Sequence, residues 1–250
     1  MIAEKISRWL QDYLKTNNLK TFVVGVSGGI DSAVASTLCA MTGAPTVTVN
    51  LPLHSSRHNT DLSNLHLEWL RSNYKNVQTD VVCLDSIFDS LTKALQGYDS
   101  ALGFANSKSR LRMVALYQIA ASTNGMVVGT GNKVEDFGVG FFTKYGDGGV
   151  DISPIADLTK TQVRELAIEL GIHQTILDAP PTDGLWEDSR TDEDQIGASY
   201  EELEWAMDYI ENNRLNNLTS RQKEVIIIYK KFNRLNAHKM KGIPVFKFGG

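Results

Sequence analysis

The chain has 250 residues, of which 42% are hydrophobic and 22% charged, a balance typical of one soluble globular domain with a buried core. The net charge of −4 and the pI of about 5.8 argue against broad nucleic-acid binding, which usually needs a basic face, but they do not exclude a small polyanionic ligand. Cys39 and Cys83 form no Cys-x-x-Cys pair, so neither a zinc site nor a redox pair is indicated. A charged N-terminus and the absence of long apolar runs predict a cytoplasmic protein with no membrane partner.

Strands are predicted to alternate with helices along the first half of the chain. Apolar residues at helical spacing predict a helix over 2–16, and runs rich in β-branched residues predict strands over 21–26, 45–51, 76–84 and 126–130. Helices are expected between these strands, over 33–41, 61–73, from Asp85 (as a cap) to near Gly97, and over 106–123. This alternation predicts the α/β class, with a parallel sheet flanked by helices and a ligand site beyond the carboxyl ends of the strands.

The second half is predicted to contain helices and two long loops. Residues 131–156 are dense in glycine, and residues 173–199 contain two adjacent prolines and an acidic run, so both segments are expected to be mobile. Helices are expected over 158–170, 199–212 and 219–233. We find no repeat and no domain boundary, and we therefore expect residues 1–250 to form a single domain.

The run Ser27–Ser32, of sequence SGGIDS, lies between the first strand and the following helix. Its glycines let the backbone approach a phosphate closely, and the free N–H groups and dipole of the helix favour an anion there. The run lacks the lysine of a Walker loop and does not match GxGxxG. It predicts a phosphate site of another kind, the alternative being a plain turn in which Asp31 complements the helix dipole.

This run resembles the pyrophosphate loop of the ATP pyrophosphatase families, which split ATP between its α- and β-phosphates and form an adenylate. Further runs resemble ammonia-dependent NAD synthetases; they are 105–113 with Tyr117, 129–135, 140–151, 158–161, 181–183 and 238–239. The resemblance implies an adenine nucleotide alpha hydrolase-like fold. It also implies a ligase reaction in two steps: ATP adenylates the nicotinate carboxylate of deamido-NAD with release of pyrophosphate, and ammonia then displaces AMP to give NAD.

The resemblance also implies a role for individual residues. It assigns ATP binding to Gly25, Ser27, Gly28, Gly29, Asp31, Ser32, Thr130, Lys160 and Thr182, and Mg²⁺ binding to Asp31 and Glu135. Deamido-NAD would contact Arg110, Lys144, Asp151, His238 and Lys239, since a diphosphate and a carboxylate require cations. The catalytic residues would be Lys160 and Asp147, the latter orienting ammonia or accepting a proton from it.

Each of these assignments has a structural alternative. Thr130 and Thr182 are also ordinary turn residues, Asp147 could merely shape its turn, and Arg112 could be structural. Glu135 could be a solvated loop carboxylate, Lys160 a charge near a helix start, and His238 a surface histidine. Two segments are unexplained by the family pattern: residues 131–133 read Gly-Asn-Lys where other members have an aspartate–histidine pair, and residues 53–58 are unusually basic.

The resemblance further implies a homodimer with deamido-NAD bound across its interface. No segment could house a glutaminase domain, which implies free ammonia or a separate glutaminase partner as the nitrogen source. Competing hypotheses are the ATP pyrophosphatase part of a GMP synthetase, a tRNA-sulfur enzyme, and a regulatory protein that binds ATP without turnover. The first would need a further dimerisation domain, and the second would need reactive cysteines and a basic surface.

Overall fold

A parallel sheet forms the centre of the computed structural model, which describes residues 1–182, 184, 191–212 and 217–248. The strands are β1 (Thr21–Gly25), β2 (Thr46–Asn50), β3 (Val77–Val81) and β4 (Gly125–Val128). Their order is β3-β2-β1-β4, and every neighbouring pair is parallel. The predicted α/β class is thereby confirmed.

Helices connect and cover the strands. They are α1 (Ile2–Thr16), α2 (Ile30–Met41), α3 (Arg57–Asn73), α4 (Asp85–Ala94), α5 (Ala101–Ser122), α6 (Lys160–Glu169), α7 (Gln174–Leu177), α8 (Asp192–Ile196), α9 (Tyr200–Glu211) and α10 (Ser220–Met240). All of the expected helices are present, although several boundaries differ. None of the helices in the described part of the chain combines the length and apolar character that crossing a bilayer requires.

The differences in boundary have identifiable local causes. Helix α5 begins five residues earlier than expected because Ser100 Oγ accepts a hydrogen bond from Gly103 N, and α3 begins early because Ser56 Oγ accepts one from Asn59 N. Asp85 is not the cap of α4 but its first residue, and its carboxylate instead accepts a hydrogen bond from His54 N at 2.6 Å.

The glycine-rich segment 131–156 is more ordered than its composition indicates. It contains a π-helix, Val134–Val139, and Ile152 pairs with Val128 as a parallel extension of the sheet. The expectation of a long structureless loop was wrong, because the glycines serve tight turns and close backbone approaches rather than solvated chain.

Two apolar layers hold the sheet in place. Phe22 and Val24 of β1 face α1, α2 and α6, whereas Val23 faces α4 and α5, as the two-residue period of a strand requires. A third cluster joins the π-helix to α9 and α10. These layers place the start of α2, the π-helix and α9 around the carboxyl ends of β1 and β4.

Candidate active site

A cleft of about 510 Å³ opens at the carboxyl ends of β1, β2 and β4. Its walls include all of the residues predicted to bind ATP or Mg²⁺ or to act in catalysis: Gly25, Ser27, Gly28, Gly29, Asp31, Ser32, Thr130, Glu135, Asp147, Lys160 and Thr182. These residues come from five separate stretches of sequence. The convergence agrees with the rule that ligands of parallel sheets bind beyond the carboxyl ends of the strands.

The loop between β1 and α2 is closed by its own serines. Ser32 Oγ accepts a hydrogen bond from Ser27 N at 3.2 Å and donates one to Gly29 O at 2.9 Å, and the hydroxyls of Ser27 and Ser32 lie 3.2 Å apart. Gly29 precedes α2, and no side chain in the described chain caps this helix. Its first-turn N–H groups therefore face the cleft, where they can bind an anion.

Gly28 is required by the backbone geometry of this loop. Its φ of +91° lies in the left-handed region, and a Cβ atom at this position would lie 2.7 Å from the carbonyl oxygen of Asn59 in α3. Any other residue would be strained and would also displace α3. The first glycine of the motif is thus required by a close approach of two backbones beside the cleft.

The charged centre of the cleft consists of Lys160, Asp31 and Glu135. The ammonium nitrogen of Lys160 lies 2.5 Å from Asp31 Oδ2 and 3.3 Å from Glu135 Oε1. The three side chains are only 14%, 17% and 16% exposed, which excludes the alternative that Glu135 is a solvated loop carboxylate. Desolvation lowers the pKa of Lys160, but the two carboxylates outweigh it, and the net pKa lies above its usual range. Lys160 is therefore a cation.

Two further residues that sequence analysis did not identify complete this centre. The hydroxyl of Tyr200 donates to Glu135 Oε1 at 2.5 Å, with Asp192 Oδ2 as a second acceptor at 3.2 Å. Burial and the neighbouring Glu135 raise the pKa of Tyr200, so its hydroxyl remains a donor. The only sequence signal at this position is the capping motif that begins α9, which identifies a helix start and not a site.

Asp136 also lines the cleft and was not identified from the sequence. Burial raises its pKa to about 7, and the negative charges of Glu135, Asp147 and Asp31 add to this shift. The cleft thus concentrates carboxylates around one lysine, an arrangement that suits a cationic ligand between them and an anionic ligand at the loop.

Asp147 is held in its turn by two hydrogen bonds to one oxygen. Its Oδ1 accepts from Ser109 Oγ at 2.7 Å and from Thr143 N at 3.0 Å, while Ser109 Oγ accepts from Asp147 N at 2.9 Å. The residue presents surface to solvent, yet desolvation of the carboxylate raises its pKa. The contacts show that Asp147 shapes the turn, and its place in the cleft wall is compatible with a second role in catalysis.

Asn132 and Arg112 have structural contacts. Asn132 Oδ1 accepts from the backbone N–H groups of Val134 and Glu135 at the start of the π-helix, while its Nδ2 donates to Asp31 Oδ1 at 3.4 Å. Arg112 donates to Leu51 O at 3.1 Å and to Ser55 Oγ at 3.3 Å. At this departure from the family pattern, the Asn132 side chain therefore holds the backbone of Glu135 and contacts the carboxylate of Asp31.

Four of the five predicted deamido-NAD residues lie together where the 140–146 turn meets α5 and the end of α10. Arg110 Nε donates to Lys144 O at 3.2 Å, and Lys144 Nζ donates to His238 O at 2.9 Å. Lys239 Nζ donates to Phe142 O at 2.7 Å, and burial lowers its pKa. None of these four side chains is among the residues that line the described part of the cleft.

The fifth residue, Asp151, has different surroundings. Its carboxylate accepts from Tyr117 OH at 3.0 Å and from Val127 N at 2.8 Å. It lines a separate, shallow pocket together with residues of α1 and α5, including Tyr13 and Tyr117. The structure thus separates Asp151 from the cationic group with which it was predicted to act.

The chain is similar to known proteins over almost its whole length. The family model described as NAD synthase matches residues 2–241. A curated NH(3)-dependent NAD(+) synthetase from Finegoldia magna is 34% identical over 99% of this chain and 96% of its own. Among solved structures, NMN synthetase from Francisella tularensis has a TM-score of 0.87 at 32% identity, covering 99% of this chain and 98% of that one. An NH3-dependent NAD synthetase from Campylobacter jejuni has a TM-score of 0.80 at 26% identity, covering 98% and 97%. The chain therefore belongs to the NAD synthase family.

Proposed function

We propose that the chain is an ammonia-dependent NAD synthetase, a ligase that adenylates deamido-NAD with ATP and amidates it with ammonia. The observation that carries this proposal is the convergence of the Ser27–Ser32 loop, Lys160 and the Asp31–Glu135 pair in one cleft. A carboxylate is a poor electrophile, and its conversion to an acyl-adenylate supplies a leaving group. The protein must position two anionic substrates and offset the charge that develops on phosphate.

The loop and Lys160 supply the groups that this activation needs. The N-terminus of α2 and the hydroxyls of Ser27 and Ser32 would bind the departing pyrophosphate, since they donate hydrogen bonds from a fixed framework. Lys160 would move from its carboxylate partners onto the phosphates. Thr130 and Thr182, both in the cleft wall, would contact ATP on either side.

The residues around Lys160 fit a magnesium ion. Asp31 and Glu135 already share one cation, and Mg²⁺ is usually held by one or two carboxylates together with substrate phosphates. Among the described residues, no group of three or more His, Cys, Asp or Glu side chains is arranged as a metal site, so the proposal assigns only Asp31 and Glu135 as protein ligands of the ion. When bound, the ion would neutralise phosphate charge during adenylation.

The second step requires ammonia to lose a proton and the intermediate to be shielded from water. Asp147 would orient ammonia or accept its proton, since its carboxylate lies in the cleft wall. The segment 131–156 would close over the substrates and exclude water. This closure is tested by trypsin digestion: adding ATP, Mg²⁺ and deamido-NAD should protect the peptide bond that follows Lys144. The matching expectation for 173–199 rests partly on residues 183 and 185–190, which lie outside the described residues.

The acceptor would bind at the cationic group of Arg110, Lys144, His238 and Lys239, with Asp151 contacting it from its separate pocket. A homodimer that binds deamido-NAD across its interface would bring these surfaces together. A cytoplasmic location, free ammonia as the nitrogen source, and the absence of nucleic-acid and membrane partners complete the proposal. A separate glutaminase could supply the ammonia.

A second candidate acceptor is the deamido form of NMN. The relative with a TM-score of 0.87 is an NMN synthetase and matches almost the whole of this chain. The cleft geometry does not discriminate between the two acceptors, because the cationic group lies outside the cleft lining. Both reactions would use the same loop, Lys160 and carboxylate pair.

The decisive experiment incubates the protein with ATP, Mg²⁺ and ammonium, with deamido-NAD or deamido-NMN in separate reactions, and identifies the products by mass. The proposal expects AMP, pyrophosphate and NAD from the first reaction at the higher kcat/KM. Preference for deamido-NMN would establish the second candidate. ATP binding with no acceptor-dependent pyrophosphate release would indicate a sensor, and Asp31→Ala should abolish turnover while the protein stays folded.

A further inference from the structure

The side chain of Tyr200 contacts both a carboxylate and the ammonium group at the centre of the cleft. Its hydroxyl donates to Glu135 Oε1 at 2.5 Å. The face of its ring lies 4.6 Å from Lys160 Nζ, measured to the ring centroid, which is within the range of a cation–π interaction. Lys160 is therefore bounded by the Tyr200 ring as well as by Asp31 and Glu135.

The position of Tyr200 is fixed from several directions. The residue is only 3% exposed and packs in the cluster that joins the π-helix to α9 and α10. It is the first residue of α9, whose start is held by a reciprocal capping box between Ser199 and Glu202. Its backbone N–H donates to Glu193 Oε1 at 2.9 Å. The hydroxyl is thus pre-oriented towards Glu135 and does not have to be ordered by a ligand.

We propose that Tyr200 is a positioning residue, which fixes the Glu135 carboxylate for the metal through its hydroxyl and steadies Lys160 for the phosphates through its ring. This inference rests on the proposed function. The physical reason is that a carboxylate held only by Lys160 would be free to rotate once the lysine moves onto phosphate. Groups that orient a metal ligand without touching the metal contribute substantially to its affinity.

The test uses Tyr200→Phe, which removes the hydroxyl and keeps the ring. Mn²⁺ alone serves as the probe, and its binding is followed by electron paramagnetic resonance of the free ion. We expect Tyr200→Phe to weaken Mn²⁺ binding roughly tenfold and to raise the Mg²⁺ concentration for half-maximal AMP formation by a similar factor. The KM for deamido-NAD should be unchanged. Tyr229→Phe is the matched control, since Tyr229 is buried in the same cluster beside Gly138, and it should behave as wild type.

A double-mutant comparison separates positioning from general damage. If Tyr200 acts through Glu135, the variant that combines Tyr200→Phe with Glu135→Gln should bind Mn²⁺ no more weakly than Glu135→Gln alone. If the losses of Mn²⁺ affinity in the two single variants multiply in the double variant, the proposal is wrong. Wild-type Mn²⁺ binding by Tyr200→Phe, or a Tyr200→Phe protein that unfolds at the assay temperature, would also overturn it, because the hydroxyl would then be a structural group. Failure of the wild type to form AMP would refute the proposed function instead, and the Mn²⁺ measurement would still decide the role of Tyr200.

Discussion

The ammonium nitrogen of Lys160 lies 2.5 Å from Asp31 Oδ2, although 129 residues separate them in sequence. The pair connects the pyrophosphate-type loop to the start of α6, and Glu135 joins it from the π-helix. The single positive charge of the lysine offsets part of the negative charge of the two carboxylates. Under the proposed function, Asp31 and Glu135 would hold Mg²⁺ when ATP binds, and the lysine would then turn to the phosphates. One side chain would thus serve both stability and chemistry.

Replacement of Lys160 by methionine should therefore affect both properties. We expect kcat to fall by roughly 10²- to 10³-fold, as when one preorganised donor to a developing charge is removed. In EDTA the protein should lose about 3 kcal/mol of unfolding free energy, because Asp31 and Glu135 are left close together without their cation. Addition of Mg²⁺ should raise the Tm of Lys160→Met more than that of wild type, which differential scanning calorimetry can measure.

Lys133→Met is the control for loss of a lysine near the cleft. Lys133 pairs at 3.5 Å with Asp157, whose side chain is 96% exposed, so this ion pair should contribute little. The control should keep its Tm and show no added response to Mg²⁺. A Lys160→Met protein as stable as wild type in EDTA would contradict the assigned role.

Gly28→Ala should disturb both the fold and the ATP site. The alanine would adopt φ near +91° at a cost of about 1–2 kcal/mol, and its Cβ would also clash with Asn59 O. Gly43→Ala is a matched control, since Gly43 has φ +75° but open space around its Cβ position. We expect Gly43→Ala to lose only the unfolding free energy that the unfavourable φ costs, and to bind ATP as tightly as wild type. Equal losses for the two variants, by urea unfolding and calorimetric ATP titration, would show that the approach to Asn59 is unimportant.

Asp147→Asn can separate the two roles of this residue. Asparagine retains an oxygen that accepts from Ser109 Oγ and Thr143 N, so the turn should persist and the Tm should change little. If the carboxylate accepts a proton from ammonium, kcat at neutral pH should fall by about 10²-fold. The deficit should shrink as the pH rises, because more of the nitrogen source is already deprotonated. If Asp147→Asn has the same kcat as wild type at every pH, Asp147 is a turn residue only.

Local sequence signals predict the sheet and the Ser27–Ser32 loop of the cleft. Strands such as β2 are continuous runs of β-branched residues, and the Ser27–Ser32 loop combines small residues with a strand–helix context that few other structures require. Lys160 and Glu135 were found through resemblance. Their mutual contact across 25 residues could not be derived from periodicity.

The residues that were missed act through tertiary contacts alone. Tyr200 looks like an ordinary core residue at a helix start, and only the packing of α9 against the π-helix brings it to Glu135, 65 residues away. The π-helix itself was missed because its surroundings are rich in glycine, which propensity associates with loops. Asp151 was grouped with Lys144 through resemblance, and the tertiary structure places the two residues in different surroundings.

The buried pair of His66 and Ser36 predicts a pH dependence of stability. His66 is 1% exposed, its Nε2 lies 3.0 Å from Ser36 Oγ, and burial lowers its pKa to about 4. In the unfolded chain the histidine titrates near its ordinary pKa of 6.5. Between pH 6.5 and 4 the unfolded state therefore binds more protons than the folded state, so stability is full above pH 6.5 and falls as the pH drops through this window.

The expected loss from this residue between pH 6.5 and 4 is about 3 kcal/mol, since one pKa unit corresponds to about 1.4 kcal/mol. Urea unfolding of wild type and His66→Gln across this range measures it. Glutamine does not titrate, so the stability of the variant should fall less steeply, while the carboxylates common to both proteins cancel in the difference. Because Ser36 lies one turn after Ser32 on α2 and also donates to Ser32 O at 2.7 Å, protonation of His66 should loosen the base of the ATP loop. Parallel slopes for the two proteins would mean that His66 is not buried in its neutral form.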